Sequence, residues 1–186
     1  MVVNYVSDAI PKRYGFDPIR DVQVLTPMHK GPCGTVALNK ALQEAINGRG
    51  RGIVKGSVTF KVGDPVLQLK NDYRRDVFNG DRGYVTRIDH EAVKLWVDMD
   101  GRSVEYQSTD LQFLSLAYAC SVHKSQGATL KCVVLVLQNE HYMLLSRPIV
   151  YTGITRAARL CVLIADPRAL RTAVRETKRE MRRTRL

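Results

Sequence analysis

Two short stretches hold the residues best suited to handling anions. Residues 121–127 read SVHKSQG, and residues 151–157 read YTGITRA. In the first, Ser121, His123, Lys124, Ser125 and Gln126 supply hydrogen-bonding groups, and Gly127 lets another backbone approach closely. In the second, Arg156 ends an expected helix beside Thr155 and Ala157, with no carboxylate next to it in sequence. A guanidinium placed that way suits a planar oxyanion. A third stretch, LTPMHKG (25–31), adds Thr26, His29 and Lys30, with Gly31 and Gly34 at a turn. Taken singly, each stretch also fits a polar strand–helix loop or a solvated helix surface. No catalytic set closes around them. The chain holds no GxxxxGK[ST] phosphate loop and no convincing Ser/His/Asp order, and Asp98, Asp100 and Asp110 fall where turns explain them.

These stretches need a scaffold, and the hydrophobic pattern describes one. DVQVLTP (21–27) reads as a short buried strand stopped by Pro27. A helix is expected over 31–48, with Thr35 as its cap, Gly48 past its end, and Val36, Ala37, Ala41, Leu42, Ala45 and Ile46 on its buried stripe. FLSLAYA (113–119), CVVLVL (132–137) and LCVLIA (160–165) are continuous apolar runs, as strands of a parallel sheet covered on both faces should be. A helix lies within 143–158, with Pro148 in its first turn, and a last one starts at Asp166-Pro167. Near the N-terminus Val3, Val6 and Ile10 have helical spacing, and Pro11 is expected to end or kink that turn.

The middle differs. From Ser57 to Leu111 short segments alternate apolar and polar residues, Asp100-Gly101 reads as a hairpin turn, and Asn79-Gly80 as another turn. Five or so short strands suggest a small β-barrel inserted in an α/β domain. The expected division is therefore 1–55 for the first part of the α/β domain, 56–111 for the barrel, and 112–186 for the second part with a basic C-terminal helix. In the barrel, Lys70, Asn71, Arg74, Arg75 and Arg82 stand near turns, where backbone contacts to a polyanion and ordinary solvation fit equally. Tyr73, Phe78 and Trp96 fit base stacking or a barrel core.

The 186 residues carry a net charge of +11, which points first to nucleic acid. Residues 168–186 hold eight Lys/Arg and two Glu, so the tail accounts for about half of that excess and the body stays mildly basic. The four cysteines are scattered with no CxxC spacing, which argues against a zinc site and suits a reducing cytosol. The polar, mixed N-terminus gives no sign of a signal peptide, and no apolar run is long enough to span a membrane.

Combined, these motifs resemble those of superfamily 1B helicases. YACSVHKSQG followed by VVLVL and YTGITRA is similar to motifs V and VI, most of all in the RecD-like group that includes the alpha subunit of exodeoxyribonuclease V. VLTPMHKGPCGTVALNKALQ resembles that group's motif IV region, KVGDPVLQLKNDYRRDVFNGDRGYV the start of its SH3-like inserted domain, and HYMLLSRPIVYTGITRA continues into the last helix as the group does. The resemblance covers roughly residues 20–175. It implies the second of two RecA-like motor domains, interrupted by an SH3-like barrel, from an ATP-dependent 5′–3′ DNA helicase. ATP and Mg2+ would be held mainly by a first motor domain outside this chain.

By that match Arg156 is the motif VI arginine that reaches the γ-phosphate. Gln126, Gly127 and Thr155 face the nucleotide with it, and Lys30 lies close to either ligand. Ser121, His123, Lys124 and Thr26 would touch single-stranded DNA, with Lys70 and Asn71 on the barrel. Thr129 stands where many RecD-like sequences have a glutamate, and QG-x-T-L is closer to the Pif and conjugative-relaxase branches, so no ribose contact carries over. The implied partners are single-stranded DNA, the N-terminal motor domain and nuclease or helicase subunits, with no membrane, in a cytoplasmic repair and recombination setting. The expectation is a truncated reading frame that does not hydrolyse ATP alone. Two rival readings remain: a non-catalytic nucleic-acid-binding module, and an interaction subunit that supplies an arginine in trans to a separate ATPase.

Overall fold

The computed structural model describes residues 1–125, 127 and 129–176. The chain opens with α1 (Val2–Asn4), a π-helical turn (Tyr5–Ala9) and α2 (Ile10–Tyr14), which run on as one helix. Val2, Val6 and Ile10, four residues apart, form its buried stripe, so Val2 takes the place expected of Val3. Pro11 does not end the helix. Proline offers no N–H, and the wider turn before it, in which the Ile10 amide bonds to the Tyr5 carbonyl, absorbs the irregularity. The helix stops at Gly15, whose left-handed φ of 66° suits glycine.

Next come β1 (Val22–Thr26), buried throughout, and α3 (Thr35–Asn47). The cap of α3 is Gly34 rather than Thr35, which is already helical. The buried face of α3 also differs from the expected stripe. Thr35, Leu38, Asn39, Leu42 and Gln43 point inward, while Val36 is exposed. Polar partners elsewhere in the fold turn this helix away from its most apolar stripe.

The central module follows: a hairpin of β2 (Ile53–Lys55) and β3 (Val58–Phe60), then β4 (Pro65–Gln68), β5 (Arg82–Asp89), β6 (Lys94–Met99), β7 (Arg102–Gln107) and, after a 3-10 turn, β8 (Leu114–Leu116). β4 to β8 form an antiparallel sheet in the order β7-β6-β5-β4-β8. Alternation buries Leu95, Val97 and Met99 of β6. Asp100 and Gly101 both have positive φ, 52° and 82°, as a two-residue hairpin of right-handed twist requires.

The run at 113–119 is not one strand. Leu114–Leu116 pairs antiparallel with β4, and only Ala119–Ser121, β9, joins the parallel sheet. β10 (Leu130–Leu137), α4 (Arg147–Thr155), β11 (Ala157–Ala165) and α5 (Pro167–Arg175) complete the chain. Pro148 lies in the first turn of α4, and the Asp166 side chain caps α5 by accepting from the amides of Arg168 and Ala169.

The parallel sheet has the order β11-β10-β1-β9. On one face Val24, Cys132, Val134 and Val136 pack with Val6, Ile10, Leu38 and Leu42. On the other, Leu25, Val133, Leu135 and Leu137 pack with Ile149, Val150, Ala169 and Ala173 of α4 and α5. β10 is buried on both faces, as its continuous apolar run requires. β11, at the edge, is only partly covered and leaves Leu163 exposed.

Candidate nucleotide and nucleic-acid interface

The carboxyl edge of the sheet carries the loops that follow β1 and β9, and Thr26 and Ser121 are register partners there. Thr26 faces inward. Its side chain is fully buried, and its hydroxyl donates to the Cys33 carbonyl at 2.8 Å, so it holds the loop over 27–34 from inside. That loop curls tightly. A Cβ at Gly34 would lie 2.3 Å from the Lys30 carbonyl oxygen and 2.6 Å from that of His29, so only glycine fits. His29 Nδ1 and the Thr35 hydroxyl are hydrogen-bonded at 2.7 Å, and Lys30 is exposed at the bend.

After Ser121 the chain makes a 3-10 turn, His123–Ser125. Val122 and Ser125 point inward, the Ser125 hydroxyl donating to the Val122 carbonyl at 2.7 Å. The Ser121 hydroxyl accepts from the Lys124 amide at 3.3 Å, leaving the side chains of His123 and Lys124 in solvent. Gly127 has φ +87° with open space around its Cβ position, so conformation rather than crowding demands glycine there. Gln126 lies outside the described residues.

This loop then reaches the opposite end of the sheet. Leu130 begins β10, and its amide donates to the Arg156 carbonyl at 2.8 Å. Arg156 caps the C-terminus of α4 and is partly buried. The register places Thr26 level with Val136 and Arg156 just before Leu130. Six residues of strand at ~3.3 Å each separate the two levels by about 20 Å. The residues singled out in sequence therefore form two groups, and the 122–129 loop is the covalent bridge between them. Thr155 belongs to the second group, but its hydroxyl donates to the Tyr151 and Thr152 carbonyls, at 2.9 and 3.2 Å, and presents no O–H to an anion.

In the central module the cations separate into two kinds. Lys70 is exposed, with its ammonium 5.4 Å from the centre of the Phe113 ring, and Arg74 is exposed. The Asn71 side-chain oxygen accepts from the Asn79 amide at 2.8 Å, and its Nδ2 donates to the Tyr73 hydroxyl at 3.4 Å. Arg75, by contrast, is a structural residue, ion-paired with Asp72 at 2.6 Å and with Asp110. Arg82 is structural too: it donates to the Ile19 carbonyl at 3.1 Å and ties the module to the segment before β1. Tyr73 and Phe78 meet edge to face at 6.0 Å, and both are exposed rather than in the core. Trp96 lies under the Arg87 guanidinium, 3.6 Å from the ring centre.

Sequence reading missed a buried polar set at the seam between the two sheets. Asp64 is fully buried and accepts from Gln43, Asn47, the Lys61 amide and the Tyr118 hydroxyl. Burial pushes the Asp64 carboxyl up, against the pull of these four hydrogen bonds, and burial beside Asp64 pushes the Tyr118 hydroxyl up as well. The available signal was Asn39, Gln43 and Asn47, three amides at four-residue spacing on one helix. Burial also raises the Cys120 thiol to about 11, which keeps it an inert core group.

Among the described residues no three His, Cys, Asp or Glu side chains come together as metal ligands, and no helix is long and apolar enough to cross a membrane. A cleft of about 360 Å³, lined by none of the loop residues described above, lies between Met1, Tyr5 and the carboxyl end of β11.

Comparison with known proteins adds to this geometry. Residues 38–99 match the SH3 domain of ATP-dependent RecD-like DNA helicases, and residues 116–164 match the UvrD-like helicase C-terminal domain. The chain is 44% identical over 136 residues to an ATP-dependent RecD2 DNA helicase of Deinococcus radiodurans, covering 73% of this chain and 19% of that protein. It is 29% identical over 156 residues to the RecBCD enzyme subunit RecD of Haemophilus influenzae, covering 84% of this chain and 23% of that one. It thus spans about a fifth of the length of these relatives. In fold it resembles a Pif1 helicase from Bacteroides, solved in complex with ADP-AlF3 and single-stranded DNA, with a TM-score of 0.57 at 18% identity over 89% of this chain and 44% of that one. The architecture is therefore the α/β helicase fold with an SH3-type insertion, as the motifs implied.

Proposed function

We propose that this chain, a relative of RecD-like DNA helicases over most of its length, works as the second motor domain of an ATP-dependent 5′–3′ DNA helicase. The observation that carries the reading is where the two described ends of the 122–129 segment lie. The segment leaves the carboxyl edge beside the exposed His123 and Lys124 and arrives at Arg156 at the other end of the sheet. A loop fixed at both ends can transmit displacement between a DNA strand at one end and a nucleotide at the other.

In this reading Arg156 supplies a guanidinium to the γ-phosphate of ATP held by a first motor domain, with Gln126 and Gly127 lining the same cleft and Lys30 exposed at the other edge. ATP with Mg2+ supplies the phosphoryl group, and the magnesium is held by the other domain. Lys124, His123 and Ser121 hold the strand together with Lys70 and Asn71 of the SH3-type module. The contacts go to phosphates and are independent of base sequence. ATP binding draws the two motor domains together and hydrolysis lets them part, so each cycle moves one grip past the other. This chain alone, without a phosphate loop, does not turn over ATP. The relative named as a RecBCD subunit supports nuclease and helicase subunits as further partners in a repair and recombination setting.

The test uses a protein that joins this chain to a first motor domain carrying a phosphate loop, and this chain alone, side by side. Arg156→Lys should lower DNA-stimulated ATPase of the longer protein by about 10³-fold or more, because a point charge does not replace the planar fork. Its affinity for a labelled single strand should stay within about twofold, since the roughly 20 Å between the two groups separates the arginine from the strand. ATPase near the parent level in Arg156→Lys, or turnover by this chain alone, would overturn the assignment.

A further inference from the structure

The chain returns from the SH3-type module to the parallel sheet through residues 117–119, and buried polar side chains grip all three. The Gln23 amide donates to the carbonyls of Ala117 and Tyr118 at 3.2 and 3.1 Å. Asn39 pairs with both backbone groups of Ala119, donating to its carbonyl at 2.9 Å and accepting its amide at 2.8 Å. It thereby pairs with the outer edge of β9 at Ala119, where no strand lies beside it among the described residues. The Tyr118 hydroxyl donates to Asp64 Oδ1 at 2.8 Å, an oxygen that also accepts from Asn47 at 2.8 Å. Asp64 Oδ2 accepts from Gln43 at 2.5 Å and from the Lys61 amide at 2.7 Å.

Four donors fill the acceptor sites of this carboxylate, and all its side-chain partners are buried or half-buried. Burying such groups is costly unless every bond forms, so the set has one good geometry. Its place in the chain gives that geometry a consequence. Asp64 immediately precedes β4, which ends at Gln68, two residues before Lys70. Tyr118 immediately precedes β9, which ends at Ser121, two residues before His123. One hydrogen bond therefore joins the roots of the two strands that carry the exposed cations.

We infer that Asp64 and Tyr118 are a positioning pair that fixes the Lys70 turn at a set distance from the Lys124 loop, so that the two bind one continuous stretch of single strand. The claim rests on the single-strand reading above, and two measurements on this 186-residue chain keep the two separable. Tyr118→Phe keeps the ring and removes only the O–H. Without DNA, hydrogen exchange at 119–125 should rise about tenfold in Tyr118→Phe, while exchange within β6 and β7 stays at the parent rate. Asp64→Asn, which sets an NH2 against donors, should loosen 61–64 as well.

In titrations with a labelled oligothymidylate, Lys70→Ala and Lys124→Ala should be coupled in the parent, their joint effect departing from the product of the single effects by about fivefold. In the Tyr118→Phe background the two effects should simply multiply. Unchanged exchange at 119–125, or equal coupling in both backgrounds, would overturn the inference. Exchange that responds in a parent chain with no affinity for the oligonucleotide would overturn the single-strand reading and the shared site with it, leaving only the mechanical tie.

Discussion

The parallel sheet and the SH3-type module solve the same packing problem by different means. In the parallel sheet β10 is buried from Cys132 to Leu137 between two paired strands, and helices cover both faces with apolar side chains. In the module β6 and β8 bury alternate residues, and the turns are fixed by polar bonds: Asp72 and Asp110 on Arg75, Asp81 on the Phe78 amide, Asp98 on the Gly101 amide. A sheet held by contact on both faces leaves its two ends free for loops of any chemistry. A small antiparallel sheet has little interior, so it relies on close backbone approach and on charges that are then unavailable to a ligand.

Substitutions sharpen the contrast, beginning in the parallel sheet. Leu135→Ala empties the centre of β10 under α4 and should cost about 2–5 kcal/mol in denaturant unfolding. Gly83→Ala should cost about 1–3 kcal/mol by overpacking, because its Cβ would meet the Asp98 carbonyl oxygen at 2.5 Å, Val97 at 2.6 Å and Met99 at 2.7 Å. Gly153→Ala is the matched test on α4. There the Cβ first meets the two Leu135 methyls at 2.9 Å, side-chain atoms rather than backbone, so the loss should be smaller than at Gly83. Equal losses at the two glycines would remove the claim that the module is the tighter of the two.

The cations give the next effect. Lys70→Ala and Lys124→Ala should each reduce the salt dependence of single-strand binding by about 0.7 in log–log slope, the value for one phosphate. Arg75→Ala should leave that slope alone while lowering stability, since its guanidinium is already paired within the module. The smallest effect is at Asp21. The Lys131 side chain, bonded at 2.8 Å, and the Asp17 amide hold the Asp21 carboxyl below its ordinary range. A carboxyl with a lowered folded pKa adds stability above its unfolded pKa and loses it as pH falls through the folded value. Acid unfolding should thus be less steep in Asp21→Asn, by under about 1 kcal/mol for a pair this exposed.

What the sequence revealed followed from period and punctuation. The apolar run of β10, the Asp100-Gly101 hairpin and the Asp166-Pro167 start of α5 are local signals, and the structure keeps them. The reading failed where a distant partner decides. Val36 looked like core but lies outside, because Asn39 and Gln43 draw the other face of α3 toward Ala119 and Asp64. FLSLAYA looked like one strand but is shared between two sheets, a division that its uniform apolarity does not show. The motif resemblance assigned Thr26 to DNA and Thr155 to the nucleotide, and it carried no sign that each hydroxyl donates to a carbonyl within its own fold. Motifs located the loops; they did not reveal which hydroxyls were already engaged.

The bond from the Leu130 amide to the Arg156 carbonyl is made wholly by main chain. Any residue except proline at 130, and any residue at all at 156, can form it. The fastening of the loop to the helix is thus inherited separately from the charge it presents. A lineage could replace the arginine and keep the linkage, so the loop stays fastened while the charge at its far end is lost.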